Sequence, residues 1–196
     1  MRKAVRFLAL TAGLVVFATA CGDDTPTGTN SGDPLTTQEA LDVYVQLNAA
    51  IGQALGGVTA PAATPGASQD PIPTVSANCP YGGSVSVSGD YDIGDFNTNT
   101  GEGTISFSLT ESISSCGVMS GDIEFTVNGD PNITVGGDIT IAQVNQTFDI
   151  SGTYTMNGGF RYTSDDGRSG SCAMNVSVNY ETFSVSGSIC GNSLGN

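Results

Sequence analysis

Histidine and tryptophan are missing from this 196-residue chain, and lysine occurs once, at Lys3. Without histidine, no Ser-His-Asp or Cys-His nucleophilic arrangement can be built. Past residue 3 the lack of lysine also excludes a Ser-Lys site or a Schiff base. With no histidine and no CxxC pair, a zinc site lacks its usual ligands. Cations are scarce: beyond Arg6 only Arg161 and Arg168 remain, against 19 acids. Such a chain is repelled by phosphate backbones, which argues against nucleic acid as a partner. The one marked apolar run, Phe7 to Phe17, is too short to span a bilayer. Without tryptophan a sugar ring has no broad stacking surface, so a carboxylate-pair glycan hydrolase is the most remote alternative.

What is present begins with Met1-Arg2-Lys3-Ala4-Val5-Arg6, then the apolar run, then Ala18-Thr19-Ala20-Cys21. A basic start, an apolar centre and small residues before a break make residues 1–20 an export signal. Small residues leading directly into a cysteine resemble a bacterial lipobox, with Ala18 where that family more often has leucine. The resemblance implies cleavage before Cys21 and lipidation of Cys21. It also implies the outer membrane in a Gram-negative host, because Gly22 rather than aspartate follows the cysteine. Arg2, Lys3 and Arg6 would leave with the signal, so membrane attachment rests on lipid and not on a basic patch.

Residues 21–35 are polar and rich in Gly, Pro and Asp, and read as the lipid tether. Residues 36–56 read as a helix, with Thr36 and Glu39 as a capping box. Its apolar stripe runs through Leu41, Tyr44 or Val45, Leu47 or Asn48, Ile51 and Leu55. Residues 57–78, with Pro61, Pro65, Pro71 and Pro73, read as an extended linker.

From 79 to 196 the texture is period two, as in Ile105/Phe107/Leu109 and Ile123/Phe125/Val127. This predicts a mainly β domain, an antiparallel meander of about eight to nine strands. It could close as a barrel, form a sandwich, or stay open with the helix over one face. Turns are expected at Asn128–Pro131, Gly136–Asp138, Asp165–Gly167 and, most strongly, at Asn157-Gly158-Gly159. Cys79, Cys116, Cys172 and Cys190 form an even set in an exported chain. Hairpin geometry brings Cys79 to Cys116 and Cys172 to Cys190, which predicts two disulfides.

Three features are candidate sites. The loop carrying Asp90, Asp92, Asp95, Asn97 and Asn99 offers oxygens to a hard cation, so calcium is the one cofactor to consider. Its spacing fails the EF-hand pattern, because Thr100 stands where glycine is needed and Ser106 where glutamate is needed. Rows of small hydroxyls (Ser84, Ser86, Ser88, Thr104, Ser106, Ser108, Ser184, Ser186) could meet a glycan or another strand. An inward aromatic set (Tyr91, Phe107, Phe125, Phe148, Tyr154, Phe160, Tyr162, Tyr180, Phe183) could line a cavity. The leading expectation is a non-enzymatic binding or interaction module, held to the membrane by lipid, with a protein or glycan partner in the envelope. The first alternative is a carrier of small apolar ligands in a lipocalin-like barrel.

Overall fold

The computed structural model describes residues 31–56, 70–94, 97, 100, 102–144 and 147–195. Residues 1–20, read as an export signal, together with Cys21 and residues 57–69, lie outside the described residues. The elements are β1 (Ser31–Gly32), α1 (Thr37–Gly56), β2 (Asp70–Asn78), β3 (Ser84–Ile93), β4 (Gly103–Ser114) and β5 (Cys116–Ser120). They continue with β6 (Ile123–Val144), β7 (Thr147–Ser164), β8 (Ser169–Asn179), β9 (Ser184–Ile189) and β10 (Asn192–Leu194). The fold is mainly β, as the alternation predicts. Its ten strands exceed the expected count partly because β1 and β10 are only two and three residues long.

All strands pair antiparallel in one sheet, in the order β10-β9-β8-β7-β6-β4-β3-β2. β1 joins β8, and β5 joins β6. No pairing among the described residues links β2 to β10, which matches the open arrangement with a covering helix. The sheet nevertheless curls. The helix packs on β2, β3 and β5. At its other end Thr37 Oγ1 donates to Asn192 Oδ1 of β10 at 2.9 Å. Both ends of the strand order thus touch one helix, and the sheet wraps it.

The helix begins as expected. Thr36 N donates to Glu39 Oε2 at 2.8 Å, and Glu39 N donates to Thr36 Oγ1 at 3.3 Å. This reciprocal pair satisfies two backbone donors that a bare helix start leaves open. The buried stripe is rotated from the expected one. It holds Ala40, Val43, Leu47, Ala50, Ile51 and Ala54, while Val45 is 58% exposed. Alanines let the helix axis sit close to the sheet. Gln46 then clamps β5, donating to Met119 O at 2.6 Å and accepting from Met119 N at 3.1 Å.

Five local expectations are corrected. Residues 70–78 are not linker but the edge strand β2. Pro71 and Pro73 hide the strand signal, yet an edge tolerates them because one row of its donors needs no partner. Ser31 and Gly32 are not free tether but pair with Ser171 and Gly170 of β8. Asn157-Gly158-Gly159 does not reverse the chain; it lies inside β7, whose pairing with β8 runs straight through it. Gly158 has φ +148°, and a Cβ there would lie 2.3 Å from Asn132 O. The glycine serves a close strand crossing rather than a turn. Asn128–Pro131 and Gly136–Asp138 likewise lie within β6, the first as a register shift between Gly129 and Ile133. Asp165–Gly167 is the turn expected, with Gly167 N donating to Ser164 O at 3.0 Å.

Both disulfides form as predicted. Cys79 joins Cys116 with Cα atoms 5.4 Å apart, and Cys172 joins Cys190 at 4.3 Å. Closing loops of 37 and 18 residues, each stabilises by about 3–4 kcal/mol through the unfolded chain.

Candidate functional site

The strand register sorts inward side chains into rows that cross the sheet. One row runs Val87, Glu111, Ile133, Gly158, Met174, Ile189. The next runs Gly89, Leu109, Val135, Met156, Val176, Gly187. Most of these are buried, because α1 lies over that half of the sheet. A third row runs Tyr91, Phe107, Gly137, Tyr154, Val178, Val185. Here Tyr91 is still buried, but Phe107, Tyr154, Val178 and Val185 are only half-buried. Beyond them Ile93, Ile105 and Ile139 are half-buried too. The concave face therefore continues past the helix as an apolar trough.

Aromatic rings line its inner end. Tyr154 stands 6.5 Å from Phe107 and 5.8 Å from Tyr180, centroid to centroid. Gly137 leaves the gap across which Phe107 and Tyr154 meet. A Cβ there would fall 2.4 Å from Thr153 O. Tyr44 reaches down from the helix and donates its hydroxyl to Met156 Sδ at 3.5 Å.

Glu111 sits at the edge of this aromatic group. It is 2% exposed, and its Oε2 has no hydrogen-bond partner. Its cross-strand neighbours are Val87 and Ile133. Burial pushes its carboxyl up to about 7. The phenols of Tyr44 and Tyr154 are raised by burial, and the nearby Glu111 charge adds to both. Glu111 is the one acid buried in the inward rows among the described residues, and Asp70, opposite Tyr91 on the edge strand, holds a second inward register position. The period-two run Ile105, Phe107, Leu109, Glu111, Ile113 already placed it on the buried face, and the sequence reading missed it.

The inward aromatic set divides. Phe125, Phe160 and Tyr162 are buried under the helix as core. Tyr91, Phe107, Tyr154 and Tyr180 line the trough side. Phe183 breaks the pattern: it is 77% exposed in the β8–β9 turn, where its φ of +51° swings it off the strand face. The side chain of Phe148 lies outside the described residues.

On the convex face Asp90 and Asp92 stand opposite Ser108 and Ser106, and Ser106 stands opposite Asp138. Ser106 Oγ donates to Asp138 Oδ1 at 2.5 Å. These residues, with Tyr91, Phe107 and Gly137 between them, border a shallow cavity of about 240 Å³. Among the described residues no three His, Cys, Asp or Glu side chains gather as a metal site. Asp95 and Asn99 lie outside the described residues. Asn97 belongs to a tight turn, its N donating to Glu102 O at 2.7 Å. Ser84, Ser86 and Ser88 pair across β3 and β4 with Ser114, Ser112 and Thr110, so a hydroxyl-lined outer face exists as read.

The remaining charge cluster is a latch. Arg168 grips Glu39 through two bonds of 2.6 and 3.2 Å and reaches Asp166 at 2.8 Å. Its guanidinium lies 5.5 Å from the centre of the Phe125 ring. Arg168 holds the Glu39 carboxyl down to about 2. The latch fastens the helix start to the β7–β8 turn.

No family model matches the chain, and no curated protein or solved structure shows similarity to it.

Proposed function

We propose that this chain is a lipid-tethered, non-enzymatic binding module of a bacterial envelope, with the concave trough as its binding face. The carrying observation is the row Phe107, Tyr154, Val178, Val185, which the helix leaves half-buried, with Glu111 fully buried two rows further in. Apolar and aromatic walls with a single polar group are the usual lining of a small-molecule site. The tether reading is supported by where the chain enters the sheet. Ser31 pairs with Ser171, and Tyr154 pairs with Val178. Seven residues of strand, about 23 Å, separate the entry from the trough. A lipid at Cys21 would leave the trough facing away from the entry end.

Two measurements test this. Metabolic labelling with an alkyne fatty acid should mark the wild type and not Cys21→Ser. The naphthyl fluorophore N-phenyl-1-naphthylamine should brighten with Cys21→Ser protein, and Tyr154→Ala should weaken it several-fold. An unlabelled wild type would overturn the anchor, and no binding would overturn the trough.

A further inference from the structure

We propose that the trough takes a small molecule with an apolar body and a protonated amine, the amine meeting Glu111 near Tyr44 and Tyr154. The proposal rests on the trough being a binding face and names what it selects.

A buried carboxylate ordinarily has a cation or several donors beside it, since burial without them is costly. Glu111 has neither for Oε2. The described residues do not supply the cation. Past Arg6 there are two, and both are committed: Arg161 to Asp130 at 2.8 Å, and Arg168 to Glu39 and Asp166. Burial otherwise favours the protonated carboxyl, so a counter-charge for ionised Glu111 would have to come from outside the described residues.

The surroundings favour an organic cation. Aromatic faces attract ammonium groups, more strongly once water is removed. Two tyrosines, Tyr44 and Tyr154, stand close enough to feel the charge of the carboxyl, and Tyr180 packs against Tyr154. A metal ion would demand several oxygens together, and among the described residues no three His, Cys, Asp or Glu side chains gather as a metal site. A neutral apolar ligand would leave Oε2 unpaired, and an anion would be repelled by it. The ligand's apolar body would lie along Phe107, Ile105 and Val178. The acidic surface raises the local concentration of any cation.

Glu111 gives the proposal a second signature. At neutral pH its carboxyl is partly protonated. An amine bound against it favours the ionised form, so binding releases a proton. Attraction to surface acids, which are already ionised, releases none.

The test uses the exported full chain carrying Cys21→Ser, in 150 mM salt, with three matched probes: 1-naphthylmethylamine, 1-naphthalenemethanol and 1-naphthoate. Tyrosine fluorescence reports binding, and calorimetry in two buffers reports protons. The amine should bind about tenfold or more tighter than the alcohol, the naphthoate weakest. Glu111→Gln should bring the amine to the alcohol's level, while the exposed Asp122→Asn leaves it unchanged. The amine's heat should depend on the buffer at pH 7 and lose that dependence in Glu111→Gln. Equal binding of amine and alcohol would overturn the amine assignment and leave the trough as a binding face. An amine preference that survives Glu111→Gln would also overturn it, assigning the effect to surface acids. Failure of all three probes to bind would sink both readings. The amine–alcohol difference and the proton release are read on the Glu111 protein itself, so they stand even if the variant folds poorly.

Discussion

Replacing Glu111 by glutamine is expected to stabilise the protein at pH 8 and leave it unchanged near pH 4. In the unfolded chain the carboxyl ionises near 4.5, and burial raises it to about 7 in the fold. Between those values the folded chain keeps a proton that the unfolded chain has lost. Stability contributed by this group is therefore complete below 4.5, falls as pH rises to 7, and is flat above it. One proton corresponds to about 1.4 kcal/mol per pH unit, so the whole window costs about 3 kcal/mol. Glutamine carries no proton to lose, and its curve should lack this decline. For a domain of this size the gain at pH 8 is about 5–10 °C in melting temperature. Self-repulsion among the surface acids also grows with pH, but equally in both proteins. The quantity to read is the difference between them, from circular dichroism melts at pH 4, 5, 6, 7 and 8 with disulfides intact. If the two proteins keep a constant difference across the series, Glu111 does not hold the proton and its burial has been misread.

The latch has the opposite sign. Arg168 holds Glu39 near 2, below its usual 4.5, so its stabilisation is present above 4.5 and lost as pH falls from there toward 2. Arg168→Ala should cost about 1–2 kcal/mol in urea unfolding at pH 7, solvent screening of the partly exposed guanidinium included, and flatten that acid limb; an unchanged midpoint would refute the latch. Cys172→Ser with Cys190→Ser should lose about 3 kcal/mol while a non-reducing digest still yields the Cys79–Cys116 peptide. A Cys79–Cys190 peptide from the wild type would refute the pairing. Gly158→Ala should cost at least about 2 kcal/mol, because φ of +148° and Asn132 O at 2.3 Å leave no room for a methyl group. A melt within 1 °C of wild type would show that β7 and β6 do not cross so closely there.

Much of the architecture could be read from the chain. Strict alternation at Ile105, Phe107 and Leu109 reported a half-buried strand. Thr36 and Glu39 marked the helix start to within a residue. The even cysteine set, placed against hairpin ends, gave both disulfides. What was not legible shares one cause. Asn157-Gly158-Gly159 and Gly136-Gly137 have turn composition, yet in this sheet glycine lets strands bend and cross closely. Local composition cannot distinguish a chain that reverses from one that curls. The same curl hid β2, whose prolines are tolerable only because the sheet ends there. It also explains the alanines of the helix stripe, since a wrapped helix needs small residues where a flat sheet would accept large ones.

Glu111 was overlooked for a different reason, and that difference bears on function. Gly158, Gly137, Pro71 and Pro73 each break a local rule, and each break has a structural return: a crossing, a ring contact, a protected edge. Glu111 also breaks a rule, standing inward between Leu109 and Ile113 with Val87 and Ile133 at its sides. No ion pair, cap or bend answers it. The other buried glutamate, Glu39, shows what a structural acid looks like in this protein: capped by Thr36, gripped twice by Arg168 and held ionised. Sequences that depart from local consistency without a structural gain tend to do so at functional positions. Leucine or valine at residue 111 would continue the row and remove the cost of burying a carboxyl. A carboxyl kept there, at the inner end of a ring-lined trough, is explained by something the trough receives.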